Sequence, residues 1–247
     1  MEWWRDLYNR QIYFELYEEQ DTALAPRQVE EAIQLLRIKP PAKILDVCCG
    51  YGRHSIEFAK RGFDVVGVDI SQQQIKHAKE IAGNMAISFQ IADVRKLNFQ
   101  NEFDVAINMF LSFGYFQTVD EDIAVLESVF QALKPGGKFL MDFWNREKEI
   151  KNFKPTTSEK IKDINIFKEW EFDYLRGRLN WRNTVIFPDG RKEAFEQSIR
   201  AYTIVELKQL FERAGFEFNN VYGGLSGEPF SIDSESVIIV ASKPKHQ

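Results

Sequence analysis

The run Ile44-Leu45-Asp46-Val47-Cys48-Cys49-Gly50-Tyr51-Gly52-Arg53-His54-Ser55 constrains the fold more than any other stretch of the chain. It reads as a buried strand, a glycine turn and the start of a helix. Such a turn aims backbone N–H groups and a helix N-terminus at a small ligand. Gly50 and Gly52 let a ligand approach the backbone because neither carries a Cβ. Asp46 adds a carboxylate at the strand end, facing the same cleft. Glycines alone are weak evidence; the weight comes from the elements that follow at regular spacing.

Phe63-Asp64-Val65-Val66-Gly67-Val68-Asp69-Ile70-Ser71 is a short apolar strand ending in an acid, and Gly50 to Asp69 is 19 positions. An acid at the end of a second strand is placed to bind ribose hydroxyls. Ile87 to Ala92 forms another strand, ending at Asp93 and Val94. That carboxylate can accept from the exocyclic amine of an adenine, and the Val94 amide can donate to a ring nitrogen. Phe103 to Asn108 is a fourth strand. Leu133-Lys134-Pro135-Gly136-Gly137 is a helix end and turn that leads into a fifth strand ending at Asp142. Strands alternating with helical segments predict an α/β fold, a doubly wound parallel sheet with ligands at the carboxyl ends of its strands.

This order of motifs resembles the class I S-adenosylmethionine-dependent methyltransferases, strongly over residues 40–145 and more weakly over 216–242. The resemblance implies a seven-stranded Rossmann-like sheet with its last strand antiparallel, and S-adenosylmethionine as cofactor. It places the methionine part of the cofactor on Asp46, Cys48, Gly50 and Gly52. The ribose falls on Asp69 with Ile70, the adenine on Asp93 and Val94, and Asn108 follows at the end of the fourth strand. Cys48 departs from the family, which usually has glycine there. Phe218 to Tyr222 and Ser236 to Ser242 would be strands six and seven.

Four segments are expected: an N-terminal helical cover over 1–38, a cofactor-binding core over 39–145, an antiparallel β insertion over 146–202, and a last helix with two strands over 203–247. In Lys168-Glu169-Trp170-Glu171-Phe172-Asp173-Tyr174 charged and aromatic residues alternate, which predicts a half-buried strand with Trp170, Phe172 and Tyr174 on one face. Leu179 to Phe187 follows, then the turn Pro188-Asp189-Gly190, then a returning strand with Phe195 and Ile199 inward. An insertion after the fifth strand stands over the carboxyl edge, either as a substrate cover or as a packing or dimerisation surface. Thr203 and Glu206 have the spacing of a capping box for the next helix. The first 25 residues are rich in aromatics, and Trp4, Leu7, Tyr8 and Ile12 fall at helical spacing. By the resemblance, Tyr8, Tyr13 or Tyr17 reaches the cofactor or the substrate.

Composition narrows the function. A net charge of −5 argues against general affinity for nucleic acid phosphates. Residues 146–200 hold 13 Lys/Arg and 10 Asp/Glu, a mild excess that reads as a solvated face. No apolar run reaches the roughly 18 residues of a membrane span, and Met1 to Asp6 lacks the basic and apolar regions of a signal peptide. The two cysteines are adjacent, so they suggest no disulfide framework. These features predict a cytoplasmic protein. Three scattered histidines give no metal-ligand spacing; His77 reads as exposed and His246 as part of the tail.

Transfer of an activated methyl group is an in-line displacement that needs little beyond alignment and a dry site. Tyr115, Asp142 and His54 are the candidate catalytic residues. The stretch Asn108 to Phe116 is rich in Phe and small residues, which suits a pocket with few polar groups. It lacks the Asn/Asp-Pro-Pro-aromatic motif of members that methylate amines of nucleic acids. A small-molecule acceptor with an N, O or C nucleophile is the leading expectation. Two alternatives stand beside it. Gly50 to Ser55 approximates Gly-x-Gly-x-x-Gly, the mark of an NAD(P)-dependent oxidoreductase, and a non-catalytic S-adenosylmethionine-binding module would share the same core. The sequence leaves the oligomeric state open.

Overall fold

The computed structural model describes residues 2–245, with only the backbone at Gln20; Met1, His246 and Gln247, which enter the segment boundaries and the tail above, lie outside the described residues. The chain begins with α1 (Trp3–Leu7) and the long α2 (Gln11–Leu36). A Rossmann-like alternation follows: β1 (Lys43–Val47), α3 (Arg53–Lys60), β2 (Asp64–Asp69), α4 (Gln72–Ala82), β3 (Ile87–Ile91), β4 (Phe103–Asn108), α5 (Val119–Ala132) and β5 (Leu133–Trp144). After α6 (Arg146–Lys151) come four strands, β6 (Thr156–Ile161), β7 (Ile164–Asp173), β8 (Arg178–Ile186) and β9 (Lys192–Arg200). The chain closes with α7 (Ile204–Arg213), β10 (Glu217–Tyr222) and β11 (Ser236–Ser242).

Seven strands form the main sheet in the order β10-β11-β5-β4-β1-β2-β3. The pairs from β5 to β3 are parallel, and β11 runs antiparallel to both β5 and β10. Both faces of this sheet are covered, so its central strands are continuous apolar runs rather than alternating ones. Leu45, Val47, Val68, Ala106, Phe139 and Met141 pack into one layer with α5 and α7. Ile44, Val65, Val105, Ile107 and Leu140 pack on the other side with Val29, Ala32 and Leu36 from the second half of α2. Capping boxes start α5 (Thr118 with Glu121) and α7 (Thr203 with Glu206), satisfying helix N-terminal N–H groups that have no partner inside the helix. The Pro-Gly-Gly segment is drawn into β5 with a slip in register: Phe103 pairs with Leu133, and Val105 already pairs with Lys138.

The insertion is a four-stranded antiparallel sheet, β6-β7-β8-β9, where the sequence suggested three. The missed strand, β6, is exposed along nearly all its length; an edge strand with no buried face carries no apolar periodicity to detect. Tyr174 also departs from expectation. It lies past the end of β7 and is 74% exposed, so only Trp170 and Phe172 of the predicted face turn inward.

Register shows what the inner face of this sheet presents. Phe172, Leu179 and Ile199 stand side by side, then Trp170, Trp181 and Gln197, then Lys168, Asn183 and Phe195, then Ile166, Val185 and Glu193. The first row packs with Trp3, Tyr115 and Trp144. Ile166, Val185 and Phe195 pack with Leu7, Ile12 and Leu16 from α1 and α2. The Trp3 indole N–H donates to the Ser198 carbonyl at 3.1 Å. The N-terminal helices and the inserted sheet therefore form one roof over the carboxyl ends of the main strands. Among the described residues no helix is long and apolar enough to cross a membrane.

Candidate active site

Beneath this roof lies a cavity of about 350 Å³, within the range of small-molecule sites. Its floor is the carboxyl edge of the main sheet and its walls are largely aromatic. A larger open groove of about 890 Å³ runs past Arg37, Gly136 and Lys243 and holds none of the strand-end acids. The chemistry gathers in the smaller, roofed space.

Of the residues singled out above, Tyr17, Cys48, Gly50, His54, Asp69, Ile70, Asp93, Val94 and Tyr115 line the cavity. Asp46, Gly52, Asn108 and Asp142 are not on its surface; they form the layer that shapes it. Asp46 accepts a hydrogen bond from the Ser55 hydroxyl at 2.6 Å, and burial pushes its carboxyl up to about 7. Ser55 stands where a third glycine would in a dinucleotide fingerprint, and this bond gives its side chain a use. The Asn108 amide donates to the Val47 carbonyl at 2.9 Å, tying β4 to β1 at their ends. Asp142 accepts from the Phe110 N–H at 3.2 Å, and burial lifts its carboxyl to about 6.

The two glycines do different work. Both have positive φ, +56° at Gly50 and +79° at Gly52. A Cβ on Gly52 would stand 2.6 Å from the Phe89 ring, whereas one on Gly50 would meet only Gln74 Oε1, at 3.6 Å. Gly52 lets α3 start against Phe89, and Gly50 opens the backbone to the cavity. Cys48 also takes positive φ, +60°, which costs a side-chain-bearing residue roughly 1–2 kcal/mol. This is the position where the resemblance expects glycine. Burial raises the Cys48 and Cys49 thiols well above their ordinary range, so both stay protonated.

Asp69 ends β2 and accepts from the Gly50 N–H at 2.9 Å and the Ser71 N–H at 2.8 Å. Burial still raises its carboxyl, against these bonds. Each oxygen keeps a lone pair for a ligand hydroxyl. Asp93 is held low by Arg95, whose guanidinium donates to both of its oxygens. His54 bonds Gln28 Oε1 at 2.8 Å, and burial depresses it well below the ordinary imidazole value, leaving it neutral. His77 is not the exposed residue its sequence suggested. It bonds Glu18 at 2.6 Å and packs edge-on to Phe14, because α2 crosses α4 there.

The aromatic roof is hydrogen-bonded as well as packed. The Tyr8 and Tyr115 hydroxyls are 2.9 Å apart, and Tyr13 meets Tyr8 edge-on at 5.0 Å. Burial raises all three phenols, Tyr115 to about 12. Phe110 and Leu111 adopt φ of +66° and +64° in succession, the kind of backbone strain that marks functional loops. Phe110 lies over the Arg53 guanidinium at 4.3 Å.

Several polar residues on the cavity wall are fixed by no motif of the sequence. Gln74 is 1% exposed, yet its amide nitrogen and oxygen both lack partners. Arg53 donates to the Asp21 carbonyl through one nitrogen and leaves Nη2 unpaired. Asn183 Oδ1 is also unpaired. Buried polar groups are normally satisfied, so these atoms point to a ligand. Gln74 was hidden because it ends the polar run Ser71-Gln72-Gln73-Gln74, which resembles an ordinary solvated first turn. These residues fit the cofactor: a Cβ-free turn at Gly50, an acid poised for hydroxyls at Asp69, and unpaired donors at Arg53 and Gln74. Among the described residues no cluster of three His, Cys, Asp or Glu could hold a metal ion.

Comparison with known proteins agrees. A family described as a methyltransferase domain matches residues 44–137. A putative methyltransferase of Bacillus subtilis, YqeM, is 27% identical over 210 residues, 82% of this chain and 85% of the relative. A dTDP-3-amino-3,4,6-trideoxy-α-D-glucopyranose N,N-dimethyltransferase of Streptomyces venezuelae is 29% identical over 119 residues, 47% of this chain and 49% of the relative. The CcbJ methyltransferase of Streptomyces caelestis shares the fold with a TM-score of 0.80 at 20% identity, covering 89% of this chain and 90% of its own. These findings give the nicotinamide-dependent alternative no support. A glycine turn feeding α3, an acid closing β2, a seven-stranded sheet with one reversed strand and these relatives agree: residues 44–137 match a methyltransferase domain, and the findings support a class I S-adenosylmethionine-dependent methyltransferase.

Proposed function

We propose that the acceptor is the amine of a small molecule enclosed beneath the roof. The observation that carries this reading is the enclosure itself. The N-terminal helices and the inserted sheet cover the strand ends, and a 350 Å³ space with aromatic walls remains. A folded macromolecule does not enter such a space. The venezuelae relative's name gives an amine acceptor for that protein, which supports the same choice here. A cytoplasmic location and the four-segment organisation belong to the same proposal.

When bound, S-adenosylmethionine supplies a methyl group already activated by its sulfonium. On this reading Gly50 and Cys48 frame the methionine part, with Tyr17 reaching in from α2. Asp69 accepts from the ribose hydroxyls, Ile70 lies beside it, and Asp93 and Val94 flank the adenine. Asp46, Gly52 and Asn108 hold these groups in place from behind. Holding the nucleophile aligned and dry supplies several kcal/mol of the barrier reduction, roughly 7–11 kcal/mol at most.

Tyr115 is assigned to touch the nucleophile. Its phenol stays protonated to about pH 12, so its oxygen accepts a hydrogen bond from an amine N–H and orients the nitrogen lone pair. His54 is a poor base, being buried and neutral, and Asp142 shapes the Phe110 backbone. A methylation assay against a panel of small amines, read as S-adenosylhomocysteine release, tests the reading. Turnover of at least one small amine is expected, with kcat in Tyr115→Phe down about tenfold, the size of one lost hydrogen bond. Protein that binds S-adenosylhomocysteine but methylates only polynucleotides or folded proteins would overturn it.

A further inference from the structure

We infer that the inserted sheet carries the acceptor-recognition subsite: an Asn183–Gln197 amide pair reads hydroxyl groups of a saturated ring stacked on Trp170 and Trp181. The inference rests on the methyltransferase reading and concerns a different wall of the same cavity. The inner face of the sheet is apolar in its first row and packs against the N-terminal helices in its last. Apart from Ile199 in the first row, the residues of this face that line the cavity come from its middle rows: Trp170, Trp181, Gln197, Lys168, Asn183 and Phe195.

Asn183 is 1% exposed at the centre of β8, between Lys168 and Phe195. An asparagine there is out of place for packing alone, since β-strands disfavour it and burial leaves it needing partners. Its Nδ2 donates to Gln197 Oε1 at 3.0 Å, and Oδ1 has no partner. Whichever way round the two amides are set, one hydrogen bond between them leaves one free acceptor and one free donor group. A hydroxyl, which both donates and accepts, matches that pair; a hydrocarbon or a bare carbonyl does not. Lys168 adds no free charge, because its ammonium is paired with Glu159 at 2.7 Å.

The rings beside the amides supply the other half of recognition. Trp170 and Trp181 stack at 5.1 Å, and Trp144 meets Trp181 at 5.9 Å. A continuous indole surface suits the C–H face of a saturated ring, and the neighbouring amides suit the equatorial hydroxyls at its edge. An aromatic acceptor would use the same surface but leave the amide pair unanswered.

The test uses full-length protein saturated with S-adenosylhomocysteine and two probes: glucosamine, a hydroxylated ring with an amine, and cyclohexylamine, the same ring size without hydroxyls. Binding is read by calorimetry and by quenching of tryptophan fluorescence. Glucosamine is expected to bind about tenfold more tightly than cyclohexylamine, one hydrogen-bond pair's worth. In Asn183→Leu that preference should collapse while S-adenosylhomocysteine affinity holds. Gln197→Met, at a half-buried position, should show the same loss and guards against a folding defect at Asn183. Equal affinity for the two probes, a preference for cyclohexylamine, a preference that survives both substitutions, or no binding of either probe would overturn the subsite. Failure to bind S-adenosylhomocysteine at all would instead strike the methyltransferase reading beneath it.

Discussion

Gly52→Ala tests whether the glycine turn is built by packing as well as by ligand approach. The new methyl would stand 2.6 Å from Phe89 Cζ and 3.3 Å from the Ala78 Cβ, at a φ of +79°. A left-handed alanine costs roughly 1–2 kcal/mol, and forcing a methyl into a packed core costs roughly 1–3 kcal/mol. The expected loss is therefore about 2–5 kcal/mol. Gly190→Ala is the matched control, since Gly190 has φ +85° and nothing near its Cβ; it should lose only about 1–2 kcal/mol. Urea denaturation followed by tryptophan fluorescence separates the two. In a chain of this length the melting temperature of Gly52→Ala should fall by roughly 5–15 °C. Phe89→Leu, added to Gly52→Ala, should recover part of the loss, a coupling of about 1 kcal/mol or more. If Gly52→Ala were no less stable than Gly190→Ala, or if Phe89→Leu recovered nothing, the contact would not be what demands glycine.

Gly50→Ala should cost only about 1–2 kcal/mol of stability yet weaken S-adenosylhomocysteine binding at least about tenfold by calorimetry, because its methyl points to the cavity; unchanged affinity would place the cofactor elsewhere. Asp69→Ala should abolish or sharply weaken cofactor binding in the same experiment, and near-native affinity would sink the ribose assignment. Asp122 accepts from the Tyr202 hydroxyl at 2.7 Å and is lifted by burial to about 7. A carboxyl raised in the folded state binds its proton there and not in the unfolded chain, so stability falls as pH rises from about 4 to about 7. Asp122→Asn should flatten that part of the profile by up to about 4 kcal/mol, with Asp46 keeping a residual slope; identical urea midpoints against pH in both proteins would refute the assignment. Cys48→Gly should leave stability unchanged or raise it by about 1 kcal/mol, as relief of the left-handed strain outweighs added chain freedom, and a loss above about 2 kcal/mol would show that the Cys48 side chain matters more than its backbone.

Local signals made the core of this protein legible in its sequence. Val65 to Val68 and Val237 to Val240 are apolar runs that only a doubly covered sheet buries. Acids stand at or beside the strand ends, at Asp46, Asp69, Asp93 and Asp142, and turn chemistry at Gly50 to Gly52 sets the entry to α3. Each is a relation between residues close in the chain, where backbone geometry alone dictates the outcome. Tertiary structure decided the rest. It placed Asp46, Gly52, Asn108 and Asp142 behind the cavity wall, because the acid before a strand end turns inward to Ser55 and the one on β5 turns to Phe110. It recruited Gln74 and Asn183, polar residues whose neighbours in sequence resemble a solvated turn and an ordinary strand. It hid β6, which has no buried face, and joined the N-terminal helices to the insertion through Trp3 and Ser198, 195 positions apart. Periodicity reports which side of an element is buried; what that side meets depends on contacts that no local pattern encodes.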